Sequence, residues 1–211
     1  ALDRHLDVAP VFEGTVVRAI SRSLPPDGVL FVGNSHSESI SKIDTEQEVV
    51  IQTAQVGDDG SVVSGEDFHI SMLMFAPGDD SLLYVVFMHA DLIGVFDPET
   101  LEMIDSFPVW VHPHSIAFTP SGDLLFLPAL FSDLLWVIDT TNNYVVEKSI
   151  LLPDMSRGVS VTPDGQWVYV TNGGDNAVSV FSVETGLLSH SIDVGETPYA
   201  FGSFIYWPEE Q

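Results

Sequence analysis

Residues 168–172 have the sequence VYVTN and are followed at 173–180 by GGDNAVSV, so a β-branched strand, a Gly/Asp/Asn turn and a second strand succeed one another. The same arrangement occurs three times upstream, where the first strand is LFVGN at 30–34, LYVVF at 83–87 and LFLPA at 125–129. The aromatic residues of these four strands are separated by 53, 42 and 43 residues. A repeat of this length predicts an architecture built from similar units.

Each unit contains the signals for four short strands. A turn rich in Pro, Gly, Asp and Ser precedes the aromatic strand, at 26–28, 77–79, 120–122 and 163–165. Proline fixes φ there, and Gly or Asp accepts the positive φ that follows. One inner strand precedes each turn, and two more strands follow the aromatic one. Four-stranded units of about 42 residues predict an all-β chain, a β-propeller of antiparallel blades. The predicted blades are approximately 15–56, 69–107, 113–151 and 157–194.

The fourth unit resembles the YVTN-repeat propellers, in which a strand reading YVTN is followed by a run like GGxNxVSV. The resemblance covers about residues 16–205, is degenerate in the second unit, and is interrupted in the first by a Gly/Ser/Asp-rich insertion at 57–67 that we expect to be an exposed loop. It implies a propeller, usually seven-bladed, on the cell surface or in the periplasm, and no single activity. We therefore expect an extracytoplasmic protein, whether periplasmic, cell-surface or secreted.

The two ends of the repeat predict an incomplete ring. A lone inner strand is predicted at 198–205, and the N-terminal region has room for one outer strand near residues 6–8. An open propeller exposes strand edges that favour association. We expect another chain, a second copy or a missing segment to complete the ring, and a small closed ring of four or five blades is the alternative.

The composition limits the classes of partner. The chain has 31 acidic and 6 basic residues and a net charge of −25, which disfavours binding to nucleic acid. The acidic excess is typical of a solubilising surface, and a cation-attracting surface is the alternative. The sequence has no cysteine, so disulfides, thiolate metal sites and cysteine nucleophiles are excluded. No apolar run reaches the length of a membrane span.

Candidate ligand-binding residues lie where the inner strands begin. His114 and Arg157 each stand six residues before the proline of their turn, and Arg18 and His69 each stand eight before theirs. Strand alternation keeps all four on one face. The full predicted set for a small anionic ligand is Arg18, His69, His114, Arg157 and Tyr199.

Histidines make the same end of the blades a candidate metal site. His36 and His89 each follow the aromatic residue of their strand by five positions, and His112 lies just before His114. The candidate ligands are His36, His69, His89, His112 and His114. Imidazole groups bind copper, zinc or iron in the absence of thiolates.

Three interpretations of this histidine-bearing face remain open. Polar residues gather in loops by chance, an Arg/His/Tyr funnel suits a carboxylate or similar anion, and a His-rich funnel suits a transition metal. We favour a binding or interaction module, with a metal-dependent oxidoreductase or hydrolase as the alternative. Whether the chain is an enzyme is left undecided, since no nucleophile elbow, P-loop or zinc-protease motif occurs.

Overall fold

A computed structural model describes residues 28–56, 69–109, 112–130, 132–200, 202 and 204–205, together with the backbone of 17–20. The insertion predicted at 57–67 and the outer strand predicted near 6–8 lie outside the described residues. Those described form sixteen strands and include no helix. None of the described segments therefore has the long apolar helix that crossing a membrane would require.

The strands form four sheets, each of which is an antiparallel series of four neighbours. Sheet 1 contains β1 (Val17–Ile20), β2 (Val29–Asn34), β3 (Ser39–Asp44) and β4 (Val49–Gln55). Sheet 2 contains β5 (Ile70–Ala76), β6 (Asp79–Phe87), β7 (Leu92–Phe96) and β8 (Met103–Pro108). Sheet 3 contains β9 (Ala117–Phe118), β10 (Leu124–Ala129), β11 (Leu134–Asp139) and β12 (Val145–Leu151). Sheet 4 contains β13 (Ser156–Val161), β14 (Trp167–Asn172), β15 (Ala177–Ser182) and β16 (Leu188–Asp193). The prediction of an all-β chain with four antiparallel four-stranded units is confirmed.

The last strand of every sheet is bulged at an equivalent position. The register between the third and fourth strands shifts at Lys42/Ile43, Val95/Phe96, Val137/Ile138 and Val180/Phe181. A bulge adds one residue to a strand and twists it locally. Because the fourth strands are the free edges of the sheets, these bulges make them poorer templates for unwanted pairing.

Three apolar clusters hold the sheets together, and each cluster is shared by two consecutive sheets. Phe31 of sheet 1 packs against Phe75 of sheet 2, with ring centroids 5.4 Å apart. Tyr84 of sheet 2 packs in the same way against Phe118 of sheet 3, at 4.9 Å. Phe126 of sheet 3 belongs to the third cluster, which sheet 4 completes. The aromatic residue that marks the repeat is therefore a residue of the inter-sheet core.

Both lysines of the chain also join neighbouring sheets. Lys42 is 8% exposed, and its Nζ donates to the carbonyl oxygen of Pro98 at 3.1 Å. The Nζ of Lys148 donates to the carbonyl oxygens of Val183 and Glu184 at 3.4 and 3.3 Å. Each lysine thus binds the turn before the last strand of the next sheet.

Several acidic residues stabilise turns. The Oδ1 of Asp44 accepts hydrogen bonds from the backbone N–H groups of Gln47 and Glu46 at 2.8 and 2.9 Å. These bonds, that of Gln47 first, lower the pKa of the Asp44 carboxyl. Asp97 and Asp139 accept equivalent bonds in the next two sheets. Part of the acidic composition is therefore explained by turn formation.

Candidate functional site: a histidine row and an arginine corner

Two kinds of segment meet at the end of the sheets where the first strands begin, which we call the upper end. The first kind is the segment that leads into each new sheet. Its last residue has a positive φ in every described case: His69 at 44°, His112 at 46°, Met155 at 58° and Thr197 at 49°. The other is the hairpin between the second and third strands, whose last residue also has positive φ: Glu38, Asp91, Asp133 and Asn176. Because this backbone conformation recurs in each sheet, it places the side chains of equivalent residues in the same way at the upper end.

The backbone register shows which predicted residues are equivalent. Ile70 pairs with Phe87, and Pro113 pairs with Ala129, at the same place in their sheets. The residue before each of these pairs is a histidine, so His69 corresponds to His112. His69 is therefore offset by two residues from the position that His114 shares with Arg157. The count to the turn proline gives the same correspondence, since His69 and His112 each stand eight residues before it and His114 and Arg157 each stand six before it.

The first strands also share a bulge, which does not shift one sheet relative to another. The register shifts between Ser156 and Gly158, so that Arg157 is the extra, unpaired residue of β13. A similar shift in β5 leaves Ser71 as the extra residue, and the backbone of Arg18 lies at the corresponding shift in β1. Bulges re-aim side chains and recur beside functional sites. The side chain of Arg18 is outside the described part of the chain.

The hairpin residues anchor the start of the following sheet. The Oδ1 of Asp91 accepts a hydrogen bond from the backbone N–H of His112 at 2.6 Å, and it lies 3.7 Å from the Nδ1 of the same residue. Asn176 repeats the contact by accepting from the N–H of Thr197 at 2.8 Å. Neither residue was among those predicted for the site, although their regular spacing before the third strand was a usable signal.

Four histidines form a continuous row along the upper end, which we call the histidine row. The ring centroids of His36 and His69 are 5.9 Å apart, those of His69 and His89 are 4.8 Å apart, and those of His89 and His112 are 5.5 Å apart. Hairpin residues alternate with sheet-entry residues along the row. His69 is 8% exposed, whereas His36 and His89 are exposed.

The remaining predicted residues meet beside this row, in what we call the arginine corner. The Cζ atom of Arg157 lies 5.3 Å from the centroid of the Tyr199 ring, a cation–π contact. The ring of His114 lies 6.4 Å from the same ring. Residues from sheet 3, from sheet 4 and from the segment after it therefore converge.

The electrostatics of the corner keep His114 neutral. Burial above all, and then the positive charge of Arg157 and the neighbouring His112, lower the pKa of His114 to about 4. The imidazole is thus uncharged at neutral pH and has one donor and one acceptor nitrogen.

The arginine itself is incompletely bonded. Within the described residues, the Nε of Arg157 is buried without a hydrogen-bond partner, as is the Oγ of Ser35 at the same end of the sheets. A buried donor without an acceptor carries a desolvation cost that a bound acceptor would relieve. The corner is therefore prepared to receive a hydrogen-bond acceptor.

The structure does not bring the five predicted metal ligands together in a single cluster. Four of the five predicted ligands lie in the histidine row, and His114 lies in the arginine corner. Within the part of the chain that the structure describes, no three His, Asp or Glu side chains are placed to hold one metal ion. The copper, zinc or iron ligation proposed from the sequence stays a prediction.

A cavity of about 650 Å³ lies between the first strands of sheets 2, 3 and 4. Its lining includes Met72, Met74, Ala117, Phe118, Ser160, Val161 and Gly202. It extends to the turns at Pro77, Pro120 and Pro163, which are at the lower end of the sheets, opposite the histidines. The strands that line it are the same strands that begin at the histidine row and the arginine corner.

Comparison with known proteins gives no activity for the chain. No family model matches the sequence. An uncharacterized protein YwhL of Bacillus subtilis (strain 168) is 29% identical over 209 residues, and the match covers 93% of this chain and 42% of that relative. The chain thus spans less than half of the length of this curated relative.

The fold has a counterpart among solved structures. A chain of Kuenenia stuttgartiensis hydrazine synthase superposes with a TM-score of 0.69 and 20% identity, over 89% of this chain and 52% of the other. Likeness at this level of identity concerns the fold alone.

Proposed function

We propose that the chain is part of an extracytoplasmic β-propeller that acts as a binding module, with an anionic ligand group held in the arginine corner. The observation that carries the proposal is the buried Nε of Arg157, which has no partner among the described residues, beside the neutral His114 and the ring of Tyr199. A carboxylate accepts two hydrogen bonds from a guanidinium fork, and the neutral imidazole adds a third donor.

The distribution of cations supports this assignment. The described side chains include three with permanent positive charge, of which Lys42 and Lys148 donate to carbonyl groups of the next sheet. Among these described side chains, Arg157 is the cation at the upper end, and it offers a position there to a ligand with a negative group.

The propeller assignment rests on repetition. Three equivalent junctions join the four sheets, and the segment after sheet 4 begins a further one. Thr197 enters it with the positive φ and the hydrogen bond to Asn176 that are seen at the start of sheet 3. Farther along, the N–H of Phe204 donates to Ser160 Oγ at 3.2 Å. These contacts are what the first strand of a fifth blade would make.

The ring also needs more polypeptide than the four sheets contain. The aromatic residue of sheet 4, Tyr169, corresponds to Phe31 and Tyr84, which pack into the following sheet. Tyr169 and the nearby Trp167 are half-buried. We propose that another chain or a second copy packs on this face and completes the ring.

Sedimentation of the purified chain tests the partner proposal. A second copy predicts concentration-dependent assembly that Tyr169→Glu abolishes and that Ile104→Glu, on the exposed face of β8, leaves unchanged. A monomer at every concentration would exclude self-assembly, and the ring would then have to be completed by a different chain. If that monomer bound no blade-type partner, the partner proposal would be overturned.

The extracytoplasmic location is supported by the resemblance of residues 168–180 to the YVTN propellers and by the acidic surface. Fractionation of cells that carry the gene tests it. Recovery in the periplasmic, surface or secreted fraction is expected, and recovery with a cytosolic marker enzyme would contradict it.

Titration with small anions tests the ligand site directly. Acetate, as probe, should shift the NMR signals of the His114 and Tyr199 rings in a saturable way. The shifts should disappear in Arg157→Met and persist in Lys148→Met, which removes a cation elsewhere. Linear shifts without saturation for acetate, phosphate and sulfate alike would overturn the anion site.

A metal-dependent oxidoreductase or hydrolase is the second candidate, because four imidazoles follow one another at 4.8–5.9 Å in the histidine row. Elemental analysis separates it from the binding module. Stoichiometric copper, zinc or iron that is lost in His69→Ala and His89→Ala, and kept in His190→Ala, would replace the first candidate by the second.

A further inference from the structure

We infer that the ligand is amphipathic, with a carboxylate in the arginine corner and an apolar chain in the cavity between the first strands of sheets 2, 3 and 4. The inference rests on the proposed function, because it deepens the chemistry of the same site. It specifies the class of ligand, a carboxylate with a linear apolar body, and the orientation of that ligand between the two ends of the sheets.

The cavity has the size and chemistry of a site for an apolar body. Its volume of about 650 Å³ falls in the range of small-molecule sites. Met72, Met74, Phe75, Phe118 and Val161 contribute apolar side chains to its lining. Flexible thioethers adapt to ligands of different shape.

Two hydroxyl groups in the lining are already bonded within the protein. The Oγ of Ser160 accepts from the N–H of Phe204, and the Oγ1 of Thr162 donates to Asp164. The carboxylate of Asp80, also in the lining, does not suit an anionic group. Burial of apolar surface is therefore the main attraction that the cavity offers.

Each converging strand carries both parts of the site. Ala117, Ser160 and Gly202 lie three positions after His114, Arg157 and Tyr199, respectively. At about 3.3 Å per residue, the arginine corner and the cavity wall are roughly 10 Å apart. A chain of roughly eight carbon atoms, with bonds near 1.5 Å, spans that separation.

Charge determines the direction of the ligand. Arg157 lies at the upper end of these strands, and the exposed Asp80 lines the cavity at its lower end. A carboxylate is attracted to the first and repelled by the second. The head group therefore points to the histidine-bearing end.

The net charge explains why an apolar body is needed. A chain with a net charge of −25 repels small anions at long range, although salt screens part of the effect. Each buried methylene group strengthens binding by about fourfold. An apolar chain can thus supply the affinity that the charge of the head group cannot.

Calorimetric titration with acetate, butanoate, hexanoate, octanoate and decanoate tests the inference. Affinity should rise about fourfold per methylene and level off near eight carbons. Octan-1-ol, which lacks the charge, should bind more weakly than octanoate. Arg157→Met should remove this difference. Met74→Trp, which fills the cavity, should remove the dependence on length but retain acetate binding, and Ile104→Trp on the exposed β8 should change neither.

The outcomes separate the inference from the proposed function. Equal affinities for acetate and octanoate, both lost in Arg157→Met, would overturn the amphipathic ligand and leave the anion site in place. Equal binding of octanoate and octan-1-ol, insensitive to Arg157→Met, would overturn the anion site. The length series uses the unaltered protein, so the inference stands or falls even if Met74→Trp does not fold.

Discussion

The imidazole rings of His69 and His89 lie 4.8 Å apart at a tilt of 31°, although 20 residues and the whole of β5 and β6 separate them in the chain. The contact follows from the repeat, because the residue that enters a sheet meets the hairpin at the same end of that sheet. His69 is also in contact with His36 of sheet 1, so it is enclosed on two sides.

This enclosure predicts unequal reactivity toward diethyl pyrocarbonate. The exposed His36, His89 and His190 should be modified quickly, and the buried His69 slowly. In His89→Ala the modification of His69 should accelerate several-fold, as followed by mass spectrometry of peptides. His190→Ala removes an exposed histidine of β16 and should leave the rate at His69 unchanged. An unchanged rate in His89→Ala would show that the two rings do not protect each other.

His114 predicts a loss of stability in mild acid. Its pKa is lowered from 6.5 to about 4 in the folded chain, so between these values the unfolded chain binds the additional proton. As far as His114 is concerned, the free energy of unfolding is highest above pH 6.5 and decreases as the pH falls toward 4. The loss should be about 2 kcal/mol once solvent screening of a partly exposed side chain is allowed for.

His114→Gln isolates this contribution, since it keeps a polar side chain that does not titrate. Urea unfolding at pH 7 and pH 4.5 should show a smaller acid-induced loss in the variant than in the original chain. The groups around His114 are Arg157, His112, His69 and His89, all of which are kept. A difference between the two proteins that does not vary with pH would contradict the assignment.

The close approach of Ala200 to Gly158 indicates that the segment after sheet 4 packs directly on β13. A Cβ atom at Gly158 would lie 2.7 Å from the carbonyl oxygen of Ala200 and 2.8 Å from the Oγ1 of Thr171. Gly158→Ala should therefore displace residues 197–200 and lower stability by about 1–3 kcal/mol. Chymotryptic cleavage after Tyr199 should become faster. Gly195→Ala is the control, because a Cβ there meets nothing within 4 Å; equal cleavage in both variants would rule out the packing described.

Substitution of the two lysines that join neighbouring sheets should lower the free energy of unfolding by unequal amounts. Lys42→Met should lower the free energy of unfolding by about 2 kcal/mol, since a buried charged hydrogen bond to Pro98 is removed. Lys148→Met should cost less, because Lys148 is more exposed and its two bonds are longer. Chemical denaturation measures both. The reverse order would mean that the bond to Pro98 contributes little.

The sheets were predictable from local signals, whereas the pairing of site residues was not. Turn prolines, Asp44, Asp97 and Asp139 stand at regular intervals, and local chemistry is enough to set a turn. The correspondence of His69 with His112 is visible in the count to the turn proline, but the bulge that leaves Ser71 and Arg157 unpaired is decided by pairing with the second strand.

The arginine corner shows a second limit of the sequence. Arg157 and Tyr199 were both predicted as site residues, but their contact joins residues 42 positions apart in the chain. The burial that lowers the pKa of His114 is likewise a property of the packed chain. Repeats identify which residues are equivalent, and packing alone decides which of them touch.

Because each apolar cluster is shared by two sheets, the resistance of the backbone to hydrogen exchange should vary along the array of sheets. Sheets 2 and 3 each contribute to two of the clusters described, and sheets 1 and 4 each contribute to one. Opening a terminal sheet disrupts one interface, whereas opening a central sheet disrupts two. Amides of β6 and β10 should then exchange last, and those of β2 and β14 should exchange earlier by subglobal fraying. Closure of the ring would give every sheet two neighbours and make the protection factors uniform.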